Sequence, residues 1–201
     1  YSLVGLTIAG IGMSLLTTEF GVFHVDVFLK AYQLPLSTYS TGNIVFSVIN
    51  TANDVAGAWL VDHVAVHRNR IDLVAVTGIV FCLCFLTPFF RWETPNPTWD
   101  GLHFVCSLSL YDTMYSFTAI LLGSIVTDNH HMSDRTRVLF MAVGKIVNLL
   151  ASFIVTRVGL ALFDTSNLHS FRVFLLVVAC AVAGLFVVAQ WVIHGRQGLC
   201  E

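Results

Sequence analysis

Apolar residues fall in six long runs that are separated by short polar connectors. A run of about 20 apolar residues is long enough to cross the hydrocarbon core of a bilayer as an α-helix. The six runs cover residues 3–29, 38–61, 71–90, 102–127, 138–162 and 173–193. The connectors leave no room for a soluble domain, so residues 1–201 are predicted to form one helical bundle. The predicted fold class is an all-α membrane protein with six transmembrane helices.

Composition agrees with a membrane protein and excludes some partners. Hydrophobic residues make up 56 % of the chain and charged residues 11 %, whereas a soluble domain carries about 25 % charged residues. The net charge of −2 provides no basic surface for nucleic acid. Cys82 and Cys84 have the wrong spacing for a zinc or redox motif. We therefore expect the lipid bilayer as a partner, and no nucleic acid, metal site or cofactor.

Basic residues are unevenly divided between the two ends of the predicted bundle. One end has Arg68, Arg70, Arg135, Arg137 and Arg196, and the other has Lys30, Arg91 and Arg172. Cytoplasmic connectors of membrane proteins carry the excess of lysine and arginine. Both chain termini are therefore predicted to be cytoplasmic. The plasma membrane is the expected location, and an organelle membrane is the alternative.

Polar residues inside the predicted spans are concentrated in the first, second, fourth and fifth spans. The third and sixth spans have no charged residue in their interiors and look suited to contact lipid. The notable charged and amide residues of the other four are Glu19, Asp26, Asn50, Asn53, Asp54, Asp112, Lys145 and Asn148. Ionisable residues within spans usually face the bundle interior and mark ion or substrate pathways. We interpret this division as a polar interior with a function.

The depth of each charge suggests two layers. Asp54 and Lys145 lie about eight residues from the predicted cytoplasmic ends, and Glu19 and Asp112 about sixteen residues in, at 1.5 Å per residue. One hypothesis is that Asp54 and Lys145 form an ion pair with a role in function. The alternative is that the same pair only stabilises the bundle. Glu19 and Asp112 lack an obvious basic partner, so they are candidates for coupling to H⁺ or Na⁺.

The remaining amides and Asp26 have a less specific role. Asn50, Asn148 and Asp26, together with Lys145, are candidates for the substrate cavity or for ion pairing. The alternative is that the asparagines only hold helices together, since interhelical hydrogen bonds average about 0.6 kcal/mol.

Two connectors at the predicted cytoplasmic end combine acids with arginines. Asp62, Arg68 and Arg70 follow the second span, and Asp134 and Arg135 precede the fifth. These turns could form a cytoplasmic gate that breaks and re-forms as helices rock. Helix caps together with the usual positive charge of cytoplasmic connectors are the alternative explanation.

An ordered set of short motifs resembles the N-terminal half of a major facilitator superfamily transporter. The motifs are Val25-Asp26, Phe28, Tyr32, Asn53-Asp54, Trp59, Asp62, Leu110-Tyr111-Asp112, Asp134-Arg135-Thr136 and Phe171-Arg172. They are similar to the glycoside-pentoside-hexuronide:cation symporter branch, and most similar to the animal transmembrane protein 180 family. The resemblance implies a second six-helix half, in the same parent chain or in another copy.

The symporter branch implies a cation site at Asp54 and Asn53, with Asp112 as a further member. The chain departs from that branch at Val55, where proline is usual, and at Asn50, where a second aspartate is common. Ala58 replaces the usual glycine of the cytoplasmic motif. These departures leave sodium coupling, proton coupling and no coupling open.

The expected function is half of a cation- or proton-coupled symporter that moves a small solute by alternating access. The alternative is a transporter-derived membrane scaffold or surface receptor that transports nothing. We do not expect an enzyme, because the chain lacks the metalloprotease, nucleophile-elbow and phosphate-loop motifs.

Overall fold

The computed structural model describes residues 2–64, 70–92, 96–127 and 134–194. These residues form the helices α1 (Ser2–Asp26), α2 (Leu36–Val64), α3 (Leu73–Leu86), α4 (Pro97–Thr127), α5 (Asp134–Leu162) and α6 (His169–His194). A π-helical turn over Val27–Ala31 extends α1, and 3-10 turns over Arg70–Asp72 and Thr87–Phe89 flank α3. The described part of the chain thus contains a helix at each of the six predicted positions.

Five helical stretches are long and apolar enough to cross a membrane. They are Leu3–Ala31, Arg70–Phe89, Thr98–Val126, Ala142–Leu162 and His169–His194. Helix α2 is not among these five, and the side chains of several of its residues, Asp54 and Asp62 among them, lie outside the described residues. Its role as a sixth span stays a prediction.

Helix α1 occupies a central position in the bundle. It packs along α6 and also along α5. Helix α3 lies between α6 and α4, and α2 packs on α4. The apolar helices α3 and α6 therefore each have one face in the core. Their other faces carry exposed aliphatic side chains such as Val76, Leu83, Val177 and Val187, which suit contact with lipid.

Phenylalanine dominates the core. The fully buried rings are Phe23, Phe28, Phe81, Phe85, Phe89, Phe104, Phe171 and Phe186. They come from α1, α3, α4, α6 and the adjoining turns. Phe186 of α6 lies directly against Gly78 of α3, where an added Cβ would be 2.1 Å from the ring. Small residues let membrane helices approach closely, so Gly78 allows this α3–α6 contact.

The chain reverses tightly between α1 and α2. The Tyr32 amide donates to the Val27 carbonyl (2.8 Å), and the Leu34 amide donates to the Phe28 carbonyl (2.9 Å). Gln33 between them has φ 56°, a left-handed conformation that ends helices. This turn fixes Tyr32 at the end of the bundle where α3 leads into α4.

Candidate functional site

A cavity of about 750 Å³ lies between α1 and α5. Its polar lining on α5 includes Lys145, Asn148, Ser152 and Thr156, and Arg157 lies beside them in the sequence. The first four of these positions are three or four residues apart, and such a spacing places side chains on one helical face. The predicted polar stripe of the fifth helix therefore lines a cavity.

Hydroxyl groups of α1 form the opposite wall. Thr18 donates to the Ser14 carbonyl (2.8 Å), and its hydroxyl is also 3.2 Å from the Ser152 hydroxyl of α5. Thr17 donates to the Met13 carbonyl (2.7 Å). A threonine hydroxyl can donate in this way to the backbone carbonyl of the preceding helical turn. These hydroxyls therefore present polar atoms to the cavity without needing a further partner.

Glu19 lies directly behind this wall. Its side chain is 0 % exposed, and its Oε1 accepts a hydrogen bond from the Thr156 hydroxyl (2.6 Å). No described residue donates to Oε2. An added Cβ at Gly159 would be 3.0 Å from Oε2 and 2.9 Å from the ring of Phe23. Glycine at 159 therefore makes room for a carboxylate that has one polar partner among the described residues.

The charged lining residues of the cavity are both basic. Lys145 and Arg157 are exposed, and neither forms an ion pair with a described residue. The Arg157 guanidinium lies 5.4 Å from the centre of the Phe153 ring, one turn back along α5. The Oδ1 atom of Asn148 is buried and has no hydrogen-bond partner in the described ranges. The cavity thus offers cationic and polar groups for a ligand.

The described residues do not test either of the two predicted layers. The side chain of Asp54 lies outside the described residues, so its pairing with Lys145 stays a prediction. Among the described residues, Thr156 of α5 is the polar partner of Glu19, and Asp112 occupies a half-buried position on α4. The central layer of Glu19 and Asp112 also stays a prediction.

The other amide and acidic candidates lie apart from the α1–α5 cavity. Asn50 and Asn53 are half-buried on α2, which packs on α4. Asp26 forms an ion pair with Lys30 one turn later (2.8 Å), with both side chains accessible. Their roles in a cation site or a substrate cavity stay predictions.

The predicted gate falls mostly on residues that the structure does not describe. Arg68 lies outside the described ranges, as do the side chains of Asp62, Asp134 and Arg135. Arg70 lies in the turn that leads into α3. The gate stays a prediction.

A second polar site was not predicted, and we name it the Tyr32 cluster: Tyr32, Arg91, Asp100 and Arg172. Arg91 donates through Nε to Asp100 (2.7 Å) and through Nη2 to both Asp100 and the Tyr32 carbonyl. Arg172 donates to the Phe89 carbonyl (2.8 Å) and lies 3.5 Å from the Tyr32 hydroxyl. Both guanidinium groups of this cluster thereby donate to protein acceptors through Nε and Nη2.

The Tyr32 cluster joins the ends of several helices. Hydrogen bonding and the charge of Asp100 raise the pKa of Arg91, while burial raises the pKa of the Tyr32 hydroxyl. Asp100 in the first turn of α4 was the available signal, because an acid there complements the helix dipole. The arginines had been read only as markers of orientation.

Comparison with known proteins identifies the family. Residues 9–196 match the family described as sugar (and other) transporter, which belongs to the major facilitator superfamily. The chain is 25 % identical over 199 residues to transmembrane protein 180 of Gallus gallus, an alignment that covers 89 % of this chain and 36 % of that protein. It is 26 % identical over 190 residues to transmembrane protein 180 of Mus musculus, covering 83 % of this chain and 34 % of the relative. No solved structure matches.

The chain spans about one third of the length of these curated relatives. Its apolar helices and the names of the relatives agree on an integral, multi-pass membrane protein. The resemblance found in the short motifs is confirmed, and the family is one of transporters rather than of enzymes. The chain belongs to the sugar (and other) transporter family.

Proposed function

We propose that this chain forms the first six helices of a proton-coupled symporter for a small solute, and that Glu19 carries the proton. One observation supports this most directly: Glu19 is fully buried, and its polar partner among the described residues, Thr156, lines the cavity. Carboxylates inside transmembrane segments commonly serve as proton relays. A proton on Glu19 can therefore influence a solute in the cavity through a single side chain.

The surroundings of Glu19 favour a proton over a sodium ion. Hard metal cations in proteins take several oxygen ligands. Among the described residues one hydroxyl, that of Thr156, donates to the carboxylate, and Gly159 lies beside its Oε2. A proton needs only one carboxylate oxygen. A sodium site at Asn53, Asp54 and Asp112 is the alternative that the family resemblance suggests.

Transport would require a second six-helix half. In alternating access one half rocks against the other around a site near the midplane. The cavity between α1 and α5 is open and holds about 750 Å³, so the second half would complete its wall. That half would come from the same parent chain or from another copy.

The test uses the full-length protein in proteoliposomes with a pH-sensitive dye inside. An inward proton gradient should drive uptake of at least one solute from a panel of sugars and organic anions, with acidification of the lumen. Glu19→Gln should abolish the acidification because an amide cannot carry the proton. Asp164→Asn is the matched control, since Asp164 is exposed in the turn between α5 and α6.

Two results would contradict the proposal. Uptake that follows a sodium gradient and persists in Glu19→Gln would move the coupling site to the residues of α2 and α4. A folded protein with no flux of any solute would favour the non-transporting scaffold or receptor.

A further inference from the structure

We propose that the α1–α5 cavity binds a small organic anion, and that Thr156 couples this binding to protonation of Glu19. This inference rests on the proposed function and names its substrate class. It is carried by the charges that line the cavity and by the hydrogen bond between Thr156 and Glu19.

The first step is the sign of the charge in the cavity. Its charged lining residues, Lys145 and Arg157, are both basic. Glu19 lies behind the wall with its side chain fully buried, so it does not offer its charge to the cavity. An unpaired charged side chain within a span is costly, and an anion in the cavity would offset the cost of Lys145 and Arg157.

The second step is the direction of the Arg157 side chain. Lysine and arginine near helix ends often extend toward the membrane surface. Arg157 instead has its guanidinium over the ring of Phe153, four residues earlier and so toward the middle of α5. The charge is thereby held over Phe153, which lines the same cavity as Ser152 and Thr156.

The third step is the polarity of the Thr156 hydroxyl. A hydroxyl has one hydrogen to donate and two lone pairs. With Glu19 ionised, the hydrogen of Thr156 is used on Oε1 at 2.6 Å, and only lone pairs remain for the cavity. Those lone pairs repel an anion.

Protonation of Glu19 reverses this hydrogen bond. The proton on the Glu19 carboxyl donates to the oxygen of Thr156, and the hydroxyl hydrogen of Thr156 becomes free to donate to an anion beside Arg157. No covalent bond changes apart from the O–H bond that Glu19 gains with its proton. One proton therefore accompanies one anionic charge.

Other titratable groups near Glu19 do not take part in this exchange. Several helices that pack on α1 carry titratable groups. These groups are Lys145 and Arg157 on α5; Tyr111, Asp112 and Tyr115 on α4; and Arg172 and Cys180 on α6. Helix α1 itself carries His24. None of them hydrogen-bonds to Glu19, whose described polar partner is Thr156. His24 is bonded to the Phe20 carbonyl (2.7 Å).

The test is equilibrium binding to the full-length protein in nanodiscs, which does not depend on transport. The probes are gluconate and citrate as anions and sorbitol as the neutral counterpart of gluconate. We expect at least one anion to bind, and sorbitol to bind at least about tenfold more weakly than gluconate, the effect of one hydrogen bond to a charged group. Arg157→Met should abolish anion binding, whereas Lys30→Met, at an exposed site outside the cavity, should not.

The pH dependence separates a coupling role from a structural one. Wild-type binding should tighten about tenfold as the pH falls from roughly 7.5 to 5.5, because one more donor faces the anion. Thr156→Val should bind weakly at every pH, and Thr156→Ser should restore the pH dependence. Glu19→Gln should bind tightly at every pH, since its amide donates to Thr156 as the protonated acid does.

Three outcomes would overturn the inference. The first is that sorbitol binds as tightly as the anions. The second is that neither anion binds. The third is that Thr156→Val keeps the pH dependence of the wild type. Proton-driven uptake of a neutral solute together with any of these would leave the proposed function intact. Anion binding with the expected pH dependence but without uptake would instead contradict the proposed function.

Discussion

Two polar sites of this bundle differ in how many partners their charged groups have. In the Tyr32 cluster, Arg91 and Asp100 bond to each other through two guanidinium nitrogens, and carbonyl oxygens take further donors. In the α1–α5 cavity, Glu19 has one hydroxyl partner among the described residues, and Lys145 has no ion pair there. A satisfied network fixes geometry, whereas a partly satisfied one can change its protonation state or accept a ligand. The difference separates an architectural site from a functional one.

Asp100→Asn should produce the largest loss of stability. Asp100 and Arg91 have side chains that are 6 % and 19 % exposed, and removing one partner of a buried pair costs about 3–5 kcal/mol. We expect a loss near the lower limit, about 3 kcal/mol, in an unfolding titration in mixed micelles. The double variant Arg91→Met/Asp100→Leu should recover most of it, because no unpaired charge is left. A loss below about 1 kcal/mol in Asp100→Asn would show that this cluster is not architectural.

Gly159→Ala should produce the second-largest loss of stability, because it would crowd the wall between Glu19 and the cavity. The added methyl group would be 2.9–3.0 Å from the Phe23 ring and from Glu19 Oε2. Overpacking of this kind costs about 1–3 kcal/mol, measured by the same titration. Gly123→Ala is the control, because nothing lies within 4 Å of a Cβ there, and it should be neutral. If Gly159→Ala and Gly123→Ala changed the free energy of unfolding equally, position 159 would have space for a methyl group.

Glu19→Gln should act in the opposite direction to Asp100→Asn. It removes a buried charge that lacks a basic partner among the described residues, so stability near neutral pH should rise by about 1 kcal/mol. The gain should shrink as the pH falls, since protonated Glu19 is also neutral. Unfolding titrations at two pH values check this. A loss of stability in Glu19→Gln would show that the charge of Glu19, like that of Asp100, stabilises the fold.

Asp26→Asn should have the smallest effect. The Asp26–Lys30 pair spans one helical turn, and its side chains are 38 % and 62 % exposed. Exposed pairs of this kind contribute about 0.3–0.5 kcal/mol. The change should stay within 0.5 kcal/mol of the wild type and should diminish further in high salt. A larger effect would mean that accessible charges also support the bundle.

The sequence predicted the helices well because their signal is local. A run of apolar residues specifies a membrane helix whatever its neighbours are. The place of α2 as a sixth span stays a prediction, because the side chains of several of its residues lie outside the described residues. Its burial against α4 depends on packing, which no apolar run encodes.

Side-chain pairing was less accessible to sequence reasoning. Depth alone put Glu19 and Asp112 in one layer, which stays a prediction, but it did not indicate the hydrogen bond from Thr156 of α5, because the rotation of each helix decides which residues meet. The Tyr32 cluster joins residues up to 140 positions apart. The position of Asp100 in the first turn of α4 was a signal in the sequence, but it did not indicate which basic residue Asp100 would bond.

The packing of α5 has a mechanical consequence. This helix meets the bundle mainly along α1, and none of the fully buried phenylalanines in the described ranges belongs to it. A small rotation of α5 about its contact with α1 would change the width of the cavity without disturbing the aromatic core. The Thr18–Ser152 and Glu19–Thr156 contacts cross the same contact surface. Glu19, the proposed proton site, therefore lies where a change in one hydrogen bond has the shortest path to a change in shape.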